Sequence, residues 1–185
     1  NIININKINK INDYHILDPC AGHGHIIKCL RKRGYKGNIK AIEINKDYED
    51  KLKETNIYGG ETRVFIGNFF DHINVGIYDL IIINPPFSQI EEFIEHSYTL
   101  LKSNNSKIIC LMRLSHLCGI KRGRFFETYR PSTVYVLENR PEFINLVGEY
   151  KNENKNMNSI GGYCFCEFEK PMIKINQSKI KWLRF

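Results

Sequence analysis

Four consecutive residues, Asn84-Pro85-Pro86-Phe87, combine an amide side chain, two ring-locked backbones and an aromatic ring. They follow the apolar run from Tyr78 to Ile83, where a buried strand is expected to end. Such a device can lay a planar, amine-bearing group flat against the ring while accepting its N–H bonds. The exocyclic amine of a base is a poor nucleophile, because its lone pair is delocalised into the ring. Two acceptors aimed at its N–H bonds help the nitrogen turn pyramidal as it attacks. Asn84's side-chain oxygen and Pro85's carbonyl are placed to supply them, and the two prolines leave that backbone little freedom. Phe87 can stack on the base and fix its angle of approach. The chemistry suggested is methyl transfer to an amino nitrogen, with adenine in nucleic acid as the leading candidate.

A methyl donor must then be held nearby, and three earlier strand ends carry suitable groups. Asp18-Pro19-Cys20-Ala21-Gly22-His23-Gly24 closes the first strand and opens the first helix. Glycines at 22 and 24 permit a tight turn and a close backbone approach, and the helix N-terminus favours an anionic group such as a carboxylate. One glycine fewer than the dinucleotide fingerprint, and no Gly-Lys-Ser/Thr, argue against a dinucleotide and against a phosphate-binding loop. Glu43 ends the second strand, where a carboxylate can accept both ribose hydroxyls. The third strand ends in Gly67-Asn68-Phe69-Phe70-Asp71, where an Asn can reach an adenine edge and an aromatic neighbour can cover the ring. Carboxylate, ribose and purine together match S-adenosylmethionine.

In this order, these four motifs resemble those of the class I S-adenosylmethionine-dependent amino-methyltransferases. The closest likeness is to bacterial and phage DNA N6-adenine methyltransferases. The resemblance implies that Asp18, Ala21, Gly22 and Gly24 hold the methionine part, Glu43 the ribose, and Asn68 and Phe69 the cofactor adenine. It implies that Asn84, Pro85, Pro86 and Phe87 hold the target amine, with S-adenosylhomocysteine as the product. The stretch from Leu111-Met-Arg-Leu-Ser-His-Leu117 to Arg140-Pro-Glu-Phe143 also looks like small phage adenine methyltransferases, which makes Phe143 a candidate base-stacking residue. The likeness runs from about Ile16 to Phe168. Two departures stand out: many relatives carry Asp where Asn68 stands, and little chain precedes Tyr14 to form the helix that usually closes over the methionine carboxylate. No target-recognition domain is evident. The same Asn-Pro-Pro-aromatic device serves cytosine N4, rRNA guanine N2 and protein glutamine, so these acceptors stay open, as does a non-catalytic cofactor-binding subunit.

The elements that must position these residues are legible as alternating runs. Strands are expected at Tyr14–Leu17, Ile39–Glu43, Arg63–Ile66, Tyr78–Ile83, Lys107–Leu111, Thr133–Leu137 and Tyr163–Phe168. Helices are expected at Ile26–Arg33, Asp47–Thr55, Glu91–Leu101 and Arg122–Tyr129. Continuous Ile-rich runs suit strands covered on both faces. The alternation predicts an α/β, Rossmann-like fold: a seven-stranded, mostly parallel sheet with an antiparallel C-terminal hairpin and helices on both faces. Residues 1–13 read as a low-complexity lead-in, 14–185 as one catalytic domain, and Asn145–Gly162 as a polar loop.

Composition narrows the partners. The 185 residues carry a formal charge of +7, with an isoelectric point near 9.1, favouring a polyanion over a neutral small molecule; the resemblance implies that this polyanion is nucleic acid, with DNA first. Lys121, Arg122 and Arg124 follow the fifth strand on the rim that carries the site and are candidate phosphate contacts. Lys28, Arg31, Lys32 and Arg33 fall late in the first helix and read as structural. Six cysteines without a C-x-x-C pair read as reduced, mostly buried thiols of a cytoplasmic protein, with no metal site. No run is long enough to span a membrane.

Overall fold

The computed structural model describes residues 13–139, 162–170 and 177–184. One sheet runs through them in the strand order β3-β2-β1-β4-β5-β7-β6-β8. β1 (Ile16–Asp18), β2 (Ile39–Glu43), β3 (Thr62–Ile66), β4 (Leu80–Ile83) and β5 (Lys107–Arg113) are parallel. β7 (Tyr163–Glu169) inserts antiparallel between β5 and β6 (Thr133–Leu137). The expected α/β class holds, with one correction to the strand count. An eighth strand, β8 (Lys179–Leu183), pairs parallel with β6 at the sheet edge. Its alternation of Lys with Ile180 and Trp182 is a period-2 signal, weakened because both apolar side chains remain exposed.

Alternate residues along each strand serve opposite layers. Leu17, Ile42, Ile81 and Ile83 join Ile90, Phe93 and Ile94 of α3 (Ile90–Leu100), with Phe125, Phe126 and Tyr129 of and beside α4 (Ile120–Thr128) packed against them. Ile16, Ala41, Leu80 and Ile82 join Ile27 and Leu30 of α1 (His25–Lys32) and Leu52 of α2 (Glu49–Lys53) on the other face. Apolar burial on both sides is why β4, Leu-Ile-Ile-Ile, has no polar face. The helix expected over Asp47–Thr55 is shorter, flanked by 3-10 turns at Lys46–Tyr48 and Glu54–Tyr58.

α1 stops where expected. Gly34 has φ 93°, its N–H donates to Arg31 O (2.9 Å), and Tyr35 N–H donates to Leu30 O (3.1 Å). That pair of bonds is a Schellman stop, which needs a residue at ease in the left-handed region. Arg31 is structural, though not through the helix dipole alone. Only 2% exposed, it donates to the carbonyls of Tyr35, Gly37 and Glu61 and so ties the approaches to β2 and β3 together. Of the six cysteines, Cys110, Cys164 and Cys166 are buried, Cys20 is half-buried, and Cys29 and Cys118 are exposed. No helix among the described residues is long and apolar enough to cross a membrane.

Sheet order reverses between β1 and β4, the place where open α/β sheets leave a crevice at their carboxyl ends. Asp18, Glu43, Asn68, Asn84 and Arg113 all stand at or just beyond such ends.

Candidate active site

A cleft of about 680 Å³ opens over these strand ends, within the usual range for a small-molecule site. Glu43, Asn68, Phe69, Asn84, Pro85, Pro86 and Phe87 all line it. Residues distant in sequence are thus brought to one cavity, as their motifs suggested. Asp18, Ala21, Gly22 and Gly24 are not part of its wall, but two of them are tied closely to it.

Glu43 is the hinge of the cofactor end. It is 8% exposed, Gly22 N–H donates to Oε2 (2.7 Å) and Asn45 N–H donates to Oε1 (2.9 Å). The carboxylate therefore locks the glycine loop after β1 to the turn after β2. A carboxylate has about four acceptor positions, so each oxygen keeps one for a ribose hydroxyl. The glycines act through backbone shape rather than donation. The Gly22 N–H is spent on Glu43, Ala21 N–H donates to Ile42 O (3.0 Å), and Gly24 N–H donates to Ala21 O (2.8 Å). Gly24, at φ 73°, also presses close to its neighbours: a Cβ there would meet Thr55 Cγ2 at 3.0 Å.

Asp18 lies beneath the loop with 1% exposure, and neither carboxylate oxygen has a hydrogen-bond partner of ordinary geometry. Burial raises its pKa to about 7, the nearby Cys20 N–H only partly opposing and Glu43's charge adding to the rise. An orphaned buried carboxylate beside a glycine turn suits a cationic group such as a methionine ammonium. Cys20 stands in the cleft wall, its thiol pushed well up by burial and by Asp18. It is no nucleophile there.

At the purine end, Asn68 Oδ1 caps the following 3-10 turn by accepting Phe70 N–H (3.1 Å), leaving its NH₂ group to donate. Phe69 stacks on Phe93 (5.0 Å between centroids), and Phe70 meets Phe93 edge-on (5.1 Å), so the wall is a rigid aromatic cluster. Residues present therefore fit S-adenosylmethionine: free acceptors at Glu43, an unpaired carboxylate at Asp18, a donor and aromatic rings near Asn68.

At the other end, the Asn84 loop is fastened on one side and free on the other. Pro86 O accepts Gln89 N–H (3.0 Å), and His116 Nε2 donates to Phe87 O (3.1 Å). Asn84's side chain and Pro85's carbonyl have no partner among the described residues. Arg113 stacks over Phe87, its guanidinium carbon 4.6 Å from the ring centre, and Tyr163 lies 6.3 Å away. Both line the cleft, and neither Arg113, Tyr163 nor His116 was singled out from sequence. The ladder pairing brings Arg113 and Tyr163 together, and no local pattern encodes it, while His116 arrives in the turn that follows β5.

The basic rim is less uniform than its composition suggested. Lys121 and Arg124 are exposed on α4, outside the cleft wall. Arg122 is instead drawn to the protein, Nε 3.5 Å from Glu91 Oε1 and Nη1 3.5 Å from Ser115 O. Phe143 lies outside the described residues.

Comparison with known proteins agrees with this geometry. The profile of the methyltransferase small domain family matches residues 3–113. No curated protein matches the chain. Among solved structures it is similar to a predicted O-methyltransferase from Agrobacterium tumefaciens (TM-score 0.64, 12% identity, 93% of this chain and 79% of that one). It is similar also to a TehB-like S-adenosylmethionine-dependent methyltransferase from Corynebacterium glutamicum (0.57, 15%, 89% and 85%). A third is a tRNA methyltransferase from Aquifex aeolicus (0.60, 15%, 90% and 66%). The chain belongs to the methyltransferase small domain family, with the class I fold and S-adenosylmethionine as its cofactor.

Proposed function

We propose that this protein methylates the N6 amino group of adenine in DNA. The observation that supports it is the asymmetry of the Asn84 loop. Carbonyls of Pro86 and Phe87 are tied down, while the Asn84 side chain and the Pro85 carbonyl are left free in the cleft. A pair of free acceptors on a fixed backbone is what an amine with two N–H bonds requires.

The residues then take these roles. Glu43 accepts the ribose hydroxyls, Asp18 faces the methionine ammonium through the glycine turn, and Asn68 donates to the adenine while Phe69 and Phe70 wall its ring. When bound, S-adenosylmethionine supplies an electrophilic methyl group and departs as S-adenosylhomocysteine. Asn84 Oδ1 and Pro85 O accept the two amine N–H bonds, concentrating the lone pair on the nitrogen. Phe87 carries the base on its ring, held from behind by Arg113 and His116. No strong base is needed, since the proton leaves after the nitrogen has bonded to carbon. Adenine in a duplex must be flipped or presented single-stranded to reach this depth. Exposed Lys121 and Arg124, with a net charge of +7, favour a polyanionic substrate.

Mass analysis of nucleosides from DNA incubated with the protein and S-adenosylmethionine tests the proposal. N6-methyl-2′-deoxyadenosine is the expected product. N4-methylcytosine in that digest, or methylated rRNA guanine or peptide glutamine in parallel incubations with those acceptors, with no N6-methyladenine in DNA, would reassign the acceptor.

A further inference from the structure

One cation in the cleft has no counterion among the described residues. Arg113 closes β5, three residues beyond the Ile83–Cys110 pairing, so the strand delivers it beside the Asn84 loop. Its Nε is fully buried with no acceptor, and its guanidinium makes no ion pair or hydrogen bond with any described residue. Arg31 also has a buried Nε without an acceptor, but its two Nη groups donate to the carbonyls of Gly37 and Glu61; Arg63, Arg122 and Arg184 pair with Glu61, Glu91 and Glu138. A half-buried guanidinium left without an anion at a cleft wall suits an acceptor from outside. The guanidinium carbon lies 4.6 Å from the centre of the Phe87 ring, which anchors the group at the cleft wall, and its two Nη groups have no acceptor among the described residues.

We propose that Arg113 binds a backbone phosphate next to the reacting base, and that this contact selects polynucleotides over peptide amides. The inference rests on the nucleic-acid reading above and names the residue that enforces it. A planar fork matches two phosphate oxygens bidentately. Peptide glutamine brings no anion to this position, so it would leave the guanidinium unpaired. The base presents its amine to Asn84 and Pro85 and its face to Phe87, and Arg113 grips the strand that carries it.

The test uses a single-adenine oligonucleotide that the wild-type protein methylates, and a series in which each flanking phosphate is replaced by a neutral methylphosphonate. Binding is measured with S-adenosylhomocysteine present, for wild type, Arg113→Gln and Arg113→Lys. One methylphosphonate position should weaken wild-type binding about tenfold. Arg113→Gln should bind the unmodified strand about tenfold more weakly and be indifferent to that position. Its slope of log affinity against log salt should be shallower by about 0.7, the share of one single-strand phosphate. Arg113→Lys should keep part of the sensitivity. Equal S-adenosylhomocysteine affinity in all three establishes folding. If Arg113→Gln keeps the wild-type methylphosphonate profile, Arg113 merely positions Phe87 and the inference fails. If no adenine oligonucleotide is methylated by the wild type, the nucleic-acid reading fails first, and the inference with it.

Discussion

Replacing Glu43 by Gln should damage both the fold of the glycine loop and the grip on the cofactor, by separable amounts. Gln keeps one acceptor oxygen and puts an NH₂ group where the second oxygen stood. Either Gly22 N–H, now at 2.7 Å, or Asn45 N–H, now at 2.9 Å, must then face a donor. The site is 8% exposed, so water replaces the lost acceptor poorly. A hydrogen bond to a charged group is worth about 1.5–3 kcal/mol, and an orphaned buried N–H costs a similar amount. A stability loss of about 2–3 kcal/mol is expected, which for a chain of this length lowers Tm by roughly 4–12 °C. The ribose hydroxyls lose a charged acceptor as well. A further loss of about 1.5–3 kcal/mol weakens S-adenosylhomocysteine roughly tenfold to a hundredfold. Calorimetric titration and thermal melting on the same preparation read the two effects. Cofactor affinity within twofold of wild type, in a variant that melts cooperatively, would refute the placement of the ribose at Glu43.

Other predictions follow from single contacts. Asp18, raised to about 7 mainly by burial, holds its proton in the folded state where the unfolded chain has released it, so stability of the cofactor-free protein should fall as pH rises from about 4 to about 7. Melting across pH 5–8 should show that decline, and Asp18→Asn should flatten it; an unchanged slope would contradict the orphaned carboxylate. Gly24→Ala should destabilise by roughly 1–2 kcal/mol, from the left-handed backbone and the 3.0 Å approach to Thr55, whereas a neutral result in denaturant unfolding would show the turn to be pliable. Arg122→Gln should cost little DNA affinity, because its charge is already turned toward Glu91, while Lys121→Gln combined with Arg124→Gln should make the salt dependence of binding shallower.

Much of this architecture is legible in the sequence, for definite physical reasons. β2 and β6 fall within their expected bounds because short runs rich in β-branched and other apolar residues are punctuated by turn residues. The residues of the Asn84 motif and Glu43 were legible because each ends such a run. What escaped depends on distance along the chain. Glu43's bond to Gly22 joins residues 21 apart, and the Arg113–Tyr163 pairing spans 50 positions, so neither leaves a local pattern. Arg122 looked like its exposed neighbours until α3 placed Glu91 beside it. β8 was overlooked because an edge strand with exposed Ile180 and Trp182 lacks the buried signature of its partners.

The central claim is that one end of the cleft holds the methyl donor and the Asn84 loop activates an amine at the other. Asn84→Ala tests it most directly, with methyl transfer to an adenine oligonucleotide and S-adenosylmethionine affinity measured on the same sample. Transfer should fall about a hundredfold or more, of the order expected for loss of one polar group acting on the transition state, with cofactor affinity unchanged within about twofold. Undiminished transfer by the variant would contradict it.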